Sequence, residues 1–166
     1  MHRQPDGAAF DIVLLLHVGC VVAGLVTTTT AAATATRLRR LARVSAPVPE
    51  ALRRYFRPGV NWAGRTVYGI PVFGFSLLAT SQGAYALEDG WVLAGLALFA
   101  ALALLAEGVM WPAERRLQAA LLAAGTTTGP LPGAEAVVGD ATSMGRAAGA
   151  ALVLLIVAVV VMIAQP

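Results

Sequence analysis

Apolar residues occupy four long stretches of the chain, and polar residues gather between these stretches rather than alternating with them. The first, Phe10 to Thr36, holds only Asp11 and His17 as titratable groups, and at about 1.5 Å per helical residue it is long enough to cross the ~30 Å hydrocarbon layer of a bilayer. The second, from about Arg65 to Leu87, contains no acid but is punctuated by Gly69, Pro71 and Gly74. Trp91 and Trp111 bracket the third; a helix sets them about 30 Å apart, the spacing of the two aromatic belts of one membrane. The fourth, roughly Arg146 to Ile163, is the most apolar. This pattern predicts an all-α protein, an integral membrane four-helix bundle with spans at about 10–36, 65–87, 91–111 and 146–163 in a single transmembrane domain 1–166.

The segments between the spans have their own character. Residues 37–60 form a basic loop, broken by Pro47 and Pro49, after which Leu52, Tyr55 and Phe56 recur at helical spacing with arginines between them. A short helix lying in the membrane interface fits that pattern. Pro112 suits the first turn of a helix that continues over Ala113 to Ala124, with Gly125 as its stop. Residues 125–142, rich in Gly, Pro and Thr, read as a flexible linker.

Composition sharpens the class. Hydrophobic residues make up 58% of the chain and charged ones 13%, about half the ~25% usual for soluble domains, so a water-soluble fold is excluded. Cys20 is alone and forms no internal disulfide. All 12 basic residues are arginines, which with the abundance of Ala and Gly suggests a high-GC bacterial genome and hence a bacterial inner membrane. Arg37, Arg39, Arg40, Arg43, Arg53, Arg54 and Arg57 all follow the first span, which assigns that loop and the 125–142 linker to the cytoplasm and both termini to the outside. Arg3 opposes the pattern. A cleaved signal ending near Thr34-Ala35-Thr36 is disfavoured, because the leader carries Asp6 and Asp11 and the arginines come after the apolar run. The arginines flank spans with no domain to present them to nucleic acid, so the expected partner is the lipid bilayer, with headgroup phosphates meeting Arg37, Arg39, Arg40, Arg53, Arg54 and Arg57. A second copy of the chain or another membrane protein is a further candidate partner.

Few residues carry chemistry. His17 is the only histidine within a span, and it shares a face with Cys20, Gly24 and Thr28, continued at four-residue spacing by Ala32 and Thr36. Such a stripe of small residues lets helices approach closely. His17 thus faces the bundle, as a hydrogen-bonded neutral imidazole, a haem or metal ligand, or a proton relay. By depth counting, Thr80, Ser81 and Gln82 of the second span match His17, predicting a polar layer of these four residues. Glu107 lies one turn before Trp111 near the inner boundary, within expected reach of Arg65 or Arg115; an inner-face ion pair and a functional carboxylate are the two readings. Gly145 and Gly149 form a GxxxG that favours helix packing. No HExxH, CxxC, Walker loop or Ser/His/Asp set is present, and two ionisable groups at opposite depths make a poor ion pathway.

Leu14-Leu15-Leu16-His17-Val18-Gly19 followed by Ala23-Gly24, the basic first loop, and Trp111-Pro112-Ala113 followed by Arg115-Arg116 together resemble an uncharacterised bacterial family of predicted integral membrane proteins, domain of unknown function 2269, along most of the chain. The first span is more distantly similar to those of copper-resistance and membrane protoporphyrinogen oxidase-like four-helix proteins, although Ala23 stands where such spans often carry tryptophan. The resemblance implies a four-helix membrane fold and, through the more distant families, haem or copper handled by His17. The expected role is a structural or accessory membrane subunit without catalysis or cofactor. Haem or copper handling and a small transporter are the alternatives.

Overall fold

The computed structural model describes residues 7–125 and 133–164. Among them the chain is helical with no strand: α1 (Ala8–Arg43), α2 (Glu50–Tyr55), α3 (Trp62–Arg65), a 3₁₀ turn (Thr66–Tyr68), α4 (Gly69–Thr80), α5 (Gly90–Leu105), a π turn (Ala106–Met110), α6 (Trp111–Ala123) and α7 (Ala134–Ile163). Three helical stretches are long and apolar enough to cross a membrane: Ala8–Arg43, Gly90–Ala123 and Ala134–Ile163. Their large side chains point outward: Leu15 is 73% exposed, Leu104 75% and Ile163 80%. A protein folding in water buries such residues; hydrocarbon accommodates them on the outside. The chain is a membrane protein by this measure.

Several elements end elsewhere than the apolar pattern predicts. α1 continues to Arg43, so Arg37, Arg39 and Arg40 ride on a helix rather than in a loop. α7 begins at Ala134, so residues 134–142, expected as linker, are helical; the rest of that linker, 126–132, lies outside the described residues. Ala, Glu and Val there sustain a helix that the glycine and threonine content obscures. The stretch 65–87, expected as a span, is not one continuous helix and is not among these three. Pro71 has no N–H for the Val67 carbonyl, and the chain just upstream tightens into the 3₁₀ turn. At the other end Gln82 (φ 53°) and Gly83 (φ 83°) adopt left-handed backbone and stop α4 at Thr80.

The helices pack as two units. The first takes Met1–Thr27, Asn61–Leu102 and Val153–Pro166. Here α1 meets α4 and α7 at Gly24, where an added Cβ would lie 3.2 Å from Val67 Cγ1 and 3.7 Å from both Ile70 Cδ1 and Leu155 Cδ1. Gly69 is closer still to its neighbour: a Cβ there would collide with Cys20 Sγ. Tyr68 packs edge-on against Phe99, and Tyr85 against Trp91.

The second unit takes Thr28–Val60 and Ala103–Leu152. Its core is built from Ala31, Ala35, Leu38 and Ala42 of α1, Leu52 and Phe56 at α2, Leu117 and Leu121 of α6, and Val137, Ala141, Met144 and Ala148 of α7. Buried positions on α7 alternate in steps of four and three, the spacing that keeps a straight seam on a helix of 3.6 residues per turn. α1 follows the same rule through Gly24, Thr28, Ala31, Ala35, Leu38 and Ala42. The strict four-residue stripe expected from sequence drifts off this seam, because each step of four overshoots a full turn by about 40°. Ala32 and Thr36 are accordingly only half-buried. Gly145 packs against α1, where an added Cβ would lie 3.7 Å from both Ala35 Cβ and Thr36 Oγ1, whereas Gly149 has no such neighbour.

Gly24→Leu should therefore lower the stability of the detergent-solubilised protein by about 1–3 kcal/mol through overpacking. Gly19→Leu, where an added Cβ meets nothing within 4 Å, should unfold at or above the wild-type temperature. Equal thermal unfolding of the two variants would remove the close contact at Gly24.

Candidate functional site

α1 carries His17 one heptad before Gly24 on the buried seam, and the side chain is 7% exposed. Its Nδ1 lies 2.9 Å from the carbonyl oxygen of Ile70. A carbonyl only accepts, so Nδ1 bears the proton and donates, and in the neutral ring Nε2 is left with a free lone pair. Gly74, one turn further along α4, makes room for the imidazole: a Cβ there would sit 3.5 Å from His17 Cε1. Ile70 lies in the first turn of α4.

The ring forms part of the wall of a half-open cavity of about 320 Å³ within the first unit. Phe75, Trp91, Phe99 and Met162 contribute to its otherwise apolar lining, with Gly74 and Gly95 thinning two of the walls. Beside His17, the polar side chains of the lining are those of Tyr85 and Trp91. No arginine or carboxylate borders it among the described residues.

The polar layer expected from sequence does not form around His17. Thr80 Oγ1 donates back to Ser76 O at 2.8 Å, and Ser81 Oγ donates to Leu78 O at 2.8 Å while accepting from the Tyr85 backbone N–H. Gln82 is exposed in the left-handed turn after α4. Depth counting fails here because it takes the helix as continuous to Leu87, whereas α4 ends at Thr80, and His17 meets Ile70 near the start of α4 instead.

Glu107 is exposed on the π turn; Arg115 is exposed on α6, and Arg65 is half-buried in α3. Trp111, expected in an aromatic belt, is 2% exposed in the core of the second unit. The π turn adds a residue to the helical turn before it and so rotates the following side chains by about 100°. That rotation also buries Glu114 and Gln118, two polar residues that belong to no sequence motif. Their signal is nonetheless legible: Trp111, Glu114, Gln118 and Leu121 recur at three-and-four spacing, one seam of a helix. Gln118 Nε2 donates to Gly59 O at 3.3 Å and holds the turn after α2.

Of the arginines expected at headgroups, Arg53 is engaged inside the second unit. Its Nε donates to Val48 O at 3.3 Å and its Nη1 to Gly125 O, where the guanidinium caps the C-terminal end of α6. Arg39 is half-buried, with an Nε that has no acceptor among the described residues. Arg37, Arg40, Arg54 and Arg57 are at least partly exposed. Arg116 pairs with Asp140 at 2.7 Å between α6 and α7, a bridge worth at most about 1 kcal/mol at that exposure. No group of three His, Cys, Asp or Glu side chains able to hold a metal occurs among the described residues.

Comparison with known proteins returns no match to a family model, a curated protein or a solved structure.

Replacing His17 by Leu should destabilise the protein by about 0.5–1.5 kcal/mol, the net worth of its bond to Ile70, whereas Gln, which keeps an N–H donor, should recover most of the loss. Thermal unfolding in detergent distinguishes them; equal losses for Leu and Gln would mean that packing, not the hydrogen bond, anchors the ring.

Proposed function

We propose that this is a four-span protein of the bacterial inner membrane, a structural or accessory subunit of a larger assembly rather than an enzyme. The observation that carries the reading is the distribution of charge. Ten of the 12 basic residues belong to the second unit, against five acids, while the first unit holds Arg3 and Arg65 against Asp6, Asp11, Glu88 and Asp89. Under the positive-inside rule that favours a cytoplasmic position for the arginines of the second unit and an external one for both termini. The second span in this reading is the helical run from Trp62 to Thr80, about 28 Å long at ~1.5 Å per residue. Arg37, Arg40, Arg54 and Arg57 are then suited to anionic headgroups, each worth about 1 kcal/mol near the surface, and Arg39 Nε still lacks an acceptor among the described residues. An ion pair of Glu107 belongs to the same proposal, with Arg115 on the helix that follows as its candidate partner. The resemblance of the first span and of Trp111-Pro112-Ala113 to the uncharacterised integral membrane family supports this assignment.

Haem or copper held by His17 is the second reading. One observation favours it: liganding histidines commonly donate their other ring N–H to a backbone carbonyl, as Nδ1 does here. The surroundings fit it poorly. The propionates of a haem need basic partners, and no arginine lines the cavity among the described residues. Copper needs further donors, and no three-residue ligand group gathers among the described residues.

Reporter fusions test the main reading: a fusion at Pro49 should report a cytoplasmic position and one at Asp89 an external one. An external reading at Pro49 would overturn the orientation. An absorption spectrum with metal analysis of the purified protein tests the second, which requires a Soret band or stoichiometric copper.

A further inference from the structure

Beyond a subunit role, we infer that the cavity of the first unit binds a membrane-borne apolar molecule whose head is an aromatic hydroxyl, a phenol or hydroquinone bearing an alkyl tail, with His17 Nε2 accepting its hydrogen bond. Three observations carry this. The first is an unmet acceptor. With Nδ1–H committed to Ile70 O, the neutral imidazole presents only a lone pair at Nε2, and no described residue donates to it. His17 is 7% exposed and shares in the lining of a half-open apolar cavity, so its Nε2 is an acceptor offered to whatever occupies that space. A ligand that donates a hydrogen bond can use it; one that only accepts cannot.

The second observation is the absence of charge in the lining. With no arginine or carboxylate among the described lining residues, an anionic head such as a carboxylate or phosphate would bring an unpaired charge into an apolar space, so the head must be neutral. The third is shape. A volume of about 320 Å³ lies at the small end of ligand sites, which run from about 300 to 1,000 Å³. Phe75, Trp91 and Phe99 offer aromatic surfaces to a ring. A hydroquinone is thereby preferred over the corresponding quinone, whose oxygens only accept. At Nε2 only the hydroquinone has a proton to give, whereas Tyr85 and Trp91, the other polar side chains of the lining, can donate to either form.

Calorimetric titration of the purified full chain in detergent tests this with three probes of equal tail length: a decyl-substituted hydroquinone kept reduced, its dimethyl ether and 1-decanol. The hydroquinone should bind about tenfold tighter than the ether, the loss expected for one unmade buried hydrogen bond. It should also exceed 1-decanol, which shares the hydroxyl but lacks the ring. His17→Phe should abolish the preference for hydroquinone over ether. Should that variant fail to fold, nitrogen-15 histidine NMR on the wild type replaces it: the Nε2 resonance of His17 should move on adding the hydroquinone and stay in place with the ether. Equal binding of hydroquinone and ether would show that the cavity takes up hydrocarbon tails alone, and tighter binding of 1-decanol would show an aliphatic hydroxyl site; either overturns the assignment. So would the absence of binding by any probe, or an unshifted Nε2 under saturating hydroquinone. The topology fusions are insensitive to all of these outcomes, so the subunit reading stands or falls separately.

Discussion

Hydrocarbon offers an apolar side chain much the same surroundings as a neighbouring helix does, so apolar burial alone does not hold helices together in a membrane. Association then rests on close van der Waals packing and on the few hydrogen bonds that cross between helices. Most of the molecule follows from this constraint. Many large aliphatic side chains face outward, and the close approaches between helices use small residues: Gly24 beneath Val67 and Ile70, Gly69 against Cys20, and Gly145 against Ala35. At Gly69 an added methyl would collide with its neighbour and at Gly24 it would press on Val67, whereas at Gly145 it would make ordinary contact.

The same constraint governs polar groups. Hydroxyls along the helices return to their own backbone: Thr27 to Ala23, Thr34 to Thr30, Ser76 to Val72, Thr80 to Ser76 and Thr142 to Val138. Such bonds satisfy the hydroxyl without tying helices together. The side chains that reach another element are of a different kind. His17 joins α1 to α4, Gln118 joins α6 to the turn at Gly59, Arg53 joins α2 to the end of α6, and Arg116 joins α6 to α7. All four are long enough to bridge between separate backbones. The cavity beside His17 follows from the same geometry, since the ring uses one nitrogen for the α1–α4 bond and has the other left over.

Departures from regular helix place the functional groups. The 3₁₀ turn precedes α4, whose first turn brings Ile70 O to His17, and the π turn before α6 turns Trp111, Glu114 and Gln118 inward. Neither has a periodic signature. Pro71 announces a break but not which carbonyl a distant side chain will find. Glu107 and Gly108 do not announce that the helix will widen there by one residue. Counting along ideal helices therefore sets Thr80, Ser81 and Gln82 beside His17 and turns Trp111 toward lipid, whereas His17 meets Ile70 and Trp111 lies in a protein core.

By itself the sequence determined that the chain is helical and that its helices are apolar and long enough for a membrane, because a run of apolar residues leaves the backbone only internal hydrogen bonds with which to satisfy itself. It also determined that His17 and Gly24 share a face, since that needs only the pitch of one helix. Tertiary structure decided which neighbour each meets. Whether His17 finds a hydroxyl or a carbonyl, whether Arg53 reaches a headgroup or caps α6, and whether Glu114 is exposed or buried depend on angles set at turns and breaks. A change of one residue at such a break rotates every later side chain by about 100°, and local pattern carries no record of it.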